Sequence, residues 1–209
     1  MTDKLCCLSF DDGPNLNSFS TMNDMLDLLE KHHVTASFFL IGNKINAENE
    51  GVIKRAMALG CDIENHSWSH PNMPDQALSA EEIKEQVQKT DDIIFRLTGK
   101  KPLFFRPPYI SVNDLMYSVI QYPFINGHAC DDWLDEVEPD SRLEKMLSGA
   151  RDGVIFLLHV NDGNFKTTET VDRAIPILKS QGYSFVTVPE LFEKKNITPA
   201  KGGLWTYVE

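Results

Sequence analysis

Short, densely apolar runs alternate along the chain with longer stretches in which apolar residues return every three or four positions. The short runs fall at residues 5–10, 36–41, 61–64, 103–106, 124–128, 154–159 and 185–188. Each is bounded by turn-forming residues and rich in β-branched or aromatic side chains, the pattern of buried strands. Between them, Met22, Met25, Leu26, Leu28 and Leu29 form one apolar stripe ahead of Lys31. Ile53, Ala56, Met57 and Leu59 before Gly60 form a second, and Val171, Ala174, Ile175 and Leu178 before Gly182 a third. Ser79 with Glu82 reads as a capping box opening a helix that runs through Phe95 and Leu97 and closes at Gly99. Strands that alternate with helices predict βαβ units and a parallel sheet, hence the α/β class. Seven such units in 209 residues suit a distorted, incomplete (β/α) barrel better than an open sheet. One domain is expected over residues 1–195, followed by a loose C-terminal tail, 196–209, with Pro199, Gly202 and Gly203.

Composition narrows the function classes. Apolar residues make up 42% of the chain and charged residues 24%, as in ordinary globular proteins. A chain this long buries about 70% of its unfolded surface, so its core needs no staples. No apolar run approaches the roughly 18 residues of a membrane span. The net charge of -11, with no basic stripe, argues against a nucleic-acid partner and disfavours strongly anionic substrates. Cys6, Cys7, Cys61 and Cys130 sit in apolar runs without C-x-x-C spacing and read as reduced structural thiols. The N-terminus, Met1-Thr2-Asp3-Lys4, shows no charged-then-apolar leader. A monomer without membrane or nucleic-acid partners is expected, cytoplasmic, or secreted if a leader has been removed.

In parallel β/α folds, chemistry gathers where strands give way to loops at their C-terminal ends. Five polar segments occupy that place. Ser9-Phe10-Asp11-Asp12-Gly13-Pro14 follows the first run. Asp, Gly and Pro make an ordinary turn, but two carboxylates ending a buried strand need a metal or an arginine beside them. His66-Ser67-Trp68-Ser69-His70 follows the third run. A helical turn there would set both imidazoles on one face, and an Asp from the first segment would complete a two-His-one-carboxylate set with open positions. Without such a turn they are two surface or core histidines. Arg106, in Phe105-Arg106-Pro107-Pro108-Tyr109, is either a surface charge or the partner of Asp11. Cys130-Asp131-Asp132-Trp133 follows the fifth run, and His159 closes the sixth. Together these groups supply what a metal-assisted hydrolase needs: a metal triad, a base, an arginine and an acid. His32, His33 and His128 carry no such signal.

The ordered segments Ser-Phe-Asp-Asp-Gly-Pro, His-Ser-x-x-His, Arg-Pro-Pro-Tyr, Asp-Asp-Trp and Leu-x-His resemble the NodB-type polysaccharide deacetylases, carbohydrate esterase family 4, over residues 5–192. The resemblance implies a distorted β/α barrel and one divalent metal ion, zinc or cobalt, on Asp12, His66 and His70. It implies Asp11 as general base, held by Arg106, and the Tyr109 backbone N–H facing the oxyanion. His159 would be the general acid tuned by Asp132, a role for which Asp131 competes, with Trp133 and Leu157 shaping a pocket for the acetyl methyl. Two positions depart from the family: Val160 stands where it usually has Asp, and Ile110 where it often has Gly. Read as an incomplete acid arrangement, they favour ester over amide substrates, because an alkoxide leaves with weaker acid help than an amine. The Asp-Asp-Trp segment and the ending Phe-Val-Thr-Val-Pro-Glu-Leu-Phe are also similar to acetylxylan esterases. The implied activity is removal of O-acetyl groups from acetylated xylan or xylo-oligosaccharides. N-deacetylation of chito-oligosaccharide or peptidoglycan is the alternative, ahead of a non-catalytic carbohydrate-binding relative.

Overall fold

The computed structural model describes residues 4–15 and 21–209; Met1, Thr2 and Asp3, read above for a leader, lie outside them. β1 (Lys4–Gly13) leads through α1 (Thr21–His32) to β2 (Ser37–Leu40), and through α2 (Glu50–Ala58) to β3 (Asp62–Asn65). α3 (Ala80–Thr98) and α4 (Asp114–Val119) precede β4 (Phe124–Ile125) and β5 (His128–Ala129). α5 (Pro139–Ser148) leads to β6 (Val154–His159), α6 (Phe165–Ser180) to β7 (Tyr183–Phe185), and α7 (Val188–Lys194) precedes β8 (Leu204–Trp205). The parallel order is β3-β2-β1-β6-β5. β7 takes the lower part of the β1 edge that β2 takes further up. Single bridges at Phe105 carry the wall from Asn65 across to Phe124, so the barrel is distorted and not closed by continuous ladders.

Strand alternation builds two apolar layers. Cys6, Leu8 and Phe10 of β1 and Val154, Phe156 and Leu158 of β6 pack outward with Met25, Leu29, Val171 and Ile175 of the covering helices. Cys7, Phe39 and Ile155 point inward with Phe104, Ile125 and Phe192. Each such fully buried side chain contributes roughly 1.5–3 kcal/mol. Towards the C-terminal ends of β1 and β6 the inward row turns polar, through Ser9, Asp11 and His159, and the candidate chemistry gathers there. The four cysteines are buried and free. Among the described residues no helix is long and apolar enough to cross a membrane.

Several expectations need correction. Residues 103–106 form no strand, only the bridge at Phe105. The Glu64 carboxylate takes the N–H groups of Leu103 and Phe104, and Pro102 and Pro107 have none to give. The run 124–128 splits in two at Gly127, where a Cβ would stand 2.9 Å from the Leu157 backbone nitrogen. The last run slides back to Tyr183–Phe185, because Thr187 and Glu190 form a capping box that opens α7. The segment read as a loose tail is packed: β8 pairs with β4, Trp205 meets Phe192 edge-on at 5.1 Å, and Val208 is fully buried.

Candidate metal and acid–base site

The first strand presents both of its carboxylates through an irregularity. The β1–β2 register runs from Asp11–Phe39 to Gly13–Leu40, skipping Asp12, whose φ of 72° lies in the left-handed region. Such a bulge re-aims a side chain that alternation would send to the opposite face. After β3 the chain does not turn helical. Left-handed Ser67 and His70, at φ 67° and 58°, curl it so that the rings of His66 and His70 meet with centroids 4.8 Å apart.

Asp12 Oδ1 lies 3.6 Å from His66 Nε2 and 3.5 Å from His70 Nε2. His66 Nδ1 donates to the Arg106 carbonyl at 2.7 Å, which leaves the Nε2 lone pair for the site. Asp12 Oδ1 is buried without a hydrogen-bond partner, a costly state unless a cation meets it. Two imidazole nitrogens and that oxygen are a donor set suited to a divalent transition metal. Among the described residues no other group of three or more His, Cys, Asp or Glu has its ligand atoms so placed. Burial, with His66 alongside, holds the His70 imidazole down to about 4, so it is neutral, as a ligand must be. Burial works against ionisation of Asp12, but the imidazoles of His66, His159 and His70 and the Lys44 ammonium outweigh it and keep its carboxyl below the usual range.

Asp11 and Arg106 form a buried pair, with Arg106 Nη1 donating to Asp11 Oδ1 at 2.7 Å. Arg106 Nη2 donates to Ser9 Oγ at 2.7 Å and to the Asn126 carbonyl, and the guanidinium lies 4.1 Å above the Phe39 ring. The arginine is thus fixed on every side, and Asp11 keeps Oδ2 for the pocket, 3.7 Å from His66 Nε2.

His159 stands beside Asp11 because β1 and β6 pair in parallel with those two residues in register. Asp132 accepts from His159 Nδ1 at 2.8 Å and from its backbone N–H at 2.7 Å. Burial would discharge the imidazole, but the Asp132 carboxylate, with Asp11 and Asp12 beyond it, raises its pKa to about 9. Asp131 instead faces outward and pairs with Lys145, so Asp132 is the partner of His159. Val160 does not disturb this pair: it is buried, and its N–H donates to the Asp11 carbonyl at 3.0 Å. Val160 thus leaves the Asp132–His159 pair intact.

Asp11, Asp12, His66, His70 and His159 line one cavity of about 530 Å³ with Pro107, Ile110, Asn126, Ala129, Leu157 and Asn161. Tyr109 packs on His70 with centroids 4.7 Å apart and is 66% exposed; Trp133 meets His159 edge-on at 5.8 Å and is 49% exposed. Tyr109 and Ile110 both lie in the left-handed region, at φ 59° and 52°. This costs a β-branched residue about 1–2 kcal/mol. Eight of the ten residues singled out from the sequence line this space, and the other two, Arg106 and Asp132, lie behind it holding Asp11 and His159.

Sequence reasoning missed the groups behind them. Gln86 of α3 accepts from the N–H groups of Trp68 and Ser69, and Asn65 accepts from Ser67 N–H while donating to Asp91 at 2.7 Å. The histidine loop is therefore clamped from α3. The available signal was Gln86 and Asp91 on either side of Val87, on the apolar face of that helix.

A profile described as polysaccharide deacetylase matches residues 1–122. The chain is 42% identical over 207 residues, 99% of its length, to a bifunctional xylanase/deacetylase of Pseudobutyrivibrio xylanivorans, and spans 33% of that protein. It spans about a third to two-fifths of the first curated relatives it matches. The solved Xyl-CE4 domain of a multidomain xylanase from the hindgut metagenome of Trinervitermes trinervoides is 40% identical, with a TM-score of 0.94 over 99% of this chain and 98% of that one. A family 4 acetyl xylan esterase from Clostridium thermocellum, solved with a cobalt ion, is 34% identical, with a TM-score of 0.92 over 98% of this chain and 99% of that one.

Proposed function

The chain belongs to the polysaccharide deacetylase family, and from that premise we propose that it is a metal-dependent carbohydrate deacetylase that removes O-acetyl groups from acetylated xylan or xylo-oligosaccharides. The observation that carries the reading is the convergence on one cavity of three groups: the Asp12–His66–His70 cluster, the Arg106-held Asp11 and the Asp132-held His159. The xylan substrate is supported by the names of the relatives above, a xylanase/deacetylase and an acetyl xylan esterase among them.

Asp12, His66 and His70 would hold the ion, zinc or cobalt. When bound, such an ion supplies Lewis acidity, polarising a carbonyl and easing the deprotonation of water. Asp11 acts as the base, a role supported by its two oxygens: one is tied to Arg106, and the other faces the cavity to take the proton of the water attacking the acetyl carbon. The Tyr109 N–H is assigned to the developing oxyanion. His159, its Nδ1–H committed to Asp132, keeps Nε2 to protonate the leaving sugar oxygen. Leu157, 4% exposed, and Trp133 wall the space assigned to the acetyl methyl.

The intact Asp132–His159 pair favours a second reading, N-deacetylation of acetylamino sugars, since an amine leaving group depends on a competent acid. Acetate release from acetylated xylo-oligosaccharides and from chito-oligosaccharides, by protein loaded with zinc or cobalt and by chelator-treated protein, decides between them. Chelator-sensitive release from the xylan fragments is the expected result. Release from chito-oligosaccharides alone would replace it with the second reading. Silence on both with metal bound would remove the catalytic assignment.

A further inference from the structure

Two arginines are fully buried among the described residues. Arg106 has Asp11 as its counter-ion, but Arg142, on α5, makes no ion pair among the described residues, and every contact of its guanidinium is to a neutral acceptor. A buried charge in that position is expensive unless its field is used. Nε donates to the Val137 carbonyl at 2.8 Å and Nη2 to the Leu134 carbonyl at 2.9 Å, which fixes the turn that follows Asp132 and Trp133. Nη1 donates to Asn164 Oδ1 at 2.8 Å and to Thr167 Oγ1 at 2.9 Å.

Those two contacts have directions that chemistry imposes. A guanidinium only donates and a carboxylate only accepts, so the Thr167 hydroxyl between them accepts from Arg142 and sends its one proton to Asp132 Oδ2, 2.9 Å away. With its oxygen on Arg142, the Asn164 amide turns its NH2 to the carbonyls of Asp132, at 3.1 Å, and His159, at 3.3 Å, and joins the two loops that carry the acid pair. Asp132 Oδ1 is left for His159 Nδ1–H.

We propose that Arg142 is a positioning residue for proton delivery: acting through Thr167 and Asn164, it fixes the Asp132 carboxylate and so the aim of the His159 imidazole. The inference rests on the reading of His159 as the general acid, and its test separates the two. The variants are R142M, T167V and, as the conservative rescue, T167S, each as the full chain loaded with zinc. Two acetyl esters are compared: an acetylated xylo-oligosaccharide, whose sugar oxygen must be protonated as it leaves, and 4-nitrophenyl acetate, whose phenolate departs unprotonated.

R142M and T167V are expected to lower kcat on the sugar ester about 10- to 100-fold, with KM, zinc affinity and the aryl-ester rate held within about twofold. The downfield Nδ1–H proton resonance of His159 moves in both, and T167S restores rate and resonance. Equal losses on both esters with an unmoved resonance would reduce Arg142 to a structural role and overturn the proposal, as would unchanged rates. If R142M does not fold, the T167V and T167S pair decides alone. If the wild-type protein turns over neither ester, the catalytic reading as a whole fails, the acid role of His159 with it. The resonance still tests the relay: a shift in T167V reversed in T167S upholds the positioning of Asp132 by Arg142, and an unmoved one ends it.

Discussion

Asp11 and Asp12 are neighbours in sequence with opposite environments. Asp11 is tied to a fully buried arginine, and Asp12 carries an orphaned oxygen between two imidazoles. Replacing Asp11 with Asn keeps the shape but removes the proton acceptor. Turnover is expected to fall by about 10²-fold or more while cobalt titration shows unchanged binding; loss of cobalt binding would instead place Asp11 among the ligands. His159 yields a prediction in pH. Its folded pKa of about 9 stands above the ordinary 6.5, so the imidazolium is the favoured form in the fold. Its contribution to stability is full below 6.5 and is lost as pH rises through about 9. Asp132→Asn removes the main charge that holds the proton. The alkaline limb of kcat should move to lower pH by more than one unit, read from the pH–rate profile.

At the scale of elements, β3 carries a buried acid unconnected with catalysis. Burial, with Asp62 adding to it, pushes the Glu64 carboxyl well above its usual range, while its second oxygen accepts from Leu103 and Phe104 N–H. The neutral form is favoured in the fold, so stability is greatest below the ordinary carboxyl range and declines as pH rises towards the folded value. Glu64→Gln keeps an acceptor for both N–H groups and removes the titration. The fall in Tm between pH 5 and pH 8 should be smaller in the variant than in the wild type; an identical fall would move the effect to another group. The histidine loop shows the same dependence on a neighbouring element. Trp68 and Ser69, between the left-handed Ser67 and His70, are held by Gln86, and Ser67 is held through Asn65 by Asp91. Gln86→Leu removes two acceptor contacts, and zinc affinity should fall about tenfold in a competition titration, with the far-ultraviolet circular dichroism unchanged.

At the scale of the molecule, only single bridges at Phe105 join β3 to β4, and residues 204–208 cover part of that wall. β8 pairs with β4, and the Val208 N–H donates to the Gly153 carbonyl at 2.8 Å, while the Gly153 N–H goes to the Leu5 carbonyl. Ending the chain at residue 195 uncovers Phe124, Ile125 and Phe192 along that wall. Tm should drop by several degrees, since a loss of about 1 kcal/mol already moves it 2–4 °C in a domain of this size. A truncated chain melting like the full one would show that this covering is dispensable.

Much of this organisation was legible in the sequence, because it depends on local chemistry and on strand and helix periods. The runs of β1, β2, β3 and β6, the capped helix from Ser79 to Gly99 and the order of the polar segments that end β1, β3, β5 and β6 follow from residues close together in the chain. Contacts between residues far apart required the fold. The sequence left open which of Asp131 and Asp132 supports His159, and packing decided it by turning one towards β6 and the other towards Lys145. A helical turn was the only local device that would join His66 to His70; the fold uses left-handed residues clamped by α3 instead. Nothing near Arg142 in the chain marks it out, and only the meeting of α5, α6 and the loops after β5 and β6 brings it to Thr167 and Asn164. The sequence alone determined which groups stand at the strand ends, since that follows from local pattern. The tertiary structure decided which of them touch, because a hydrogen bond between residues as distant as Ser9 and Arg106, 97 apart in the chain, exists only once the sheet register and the helix packing are set.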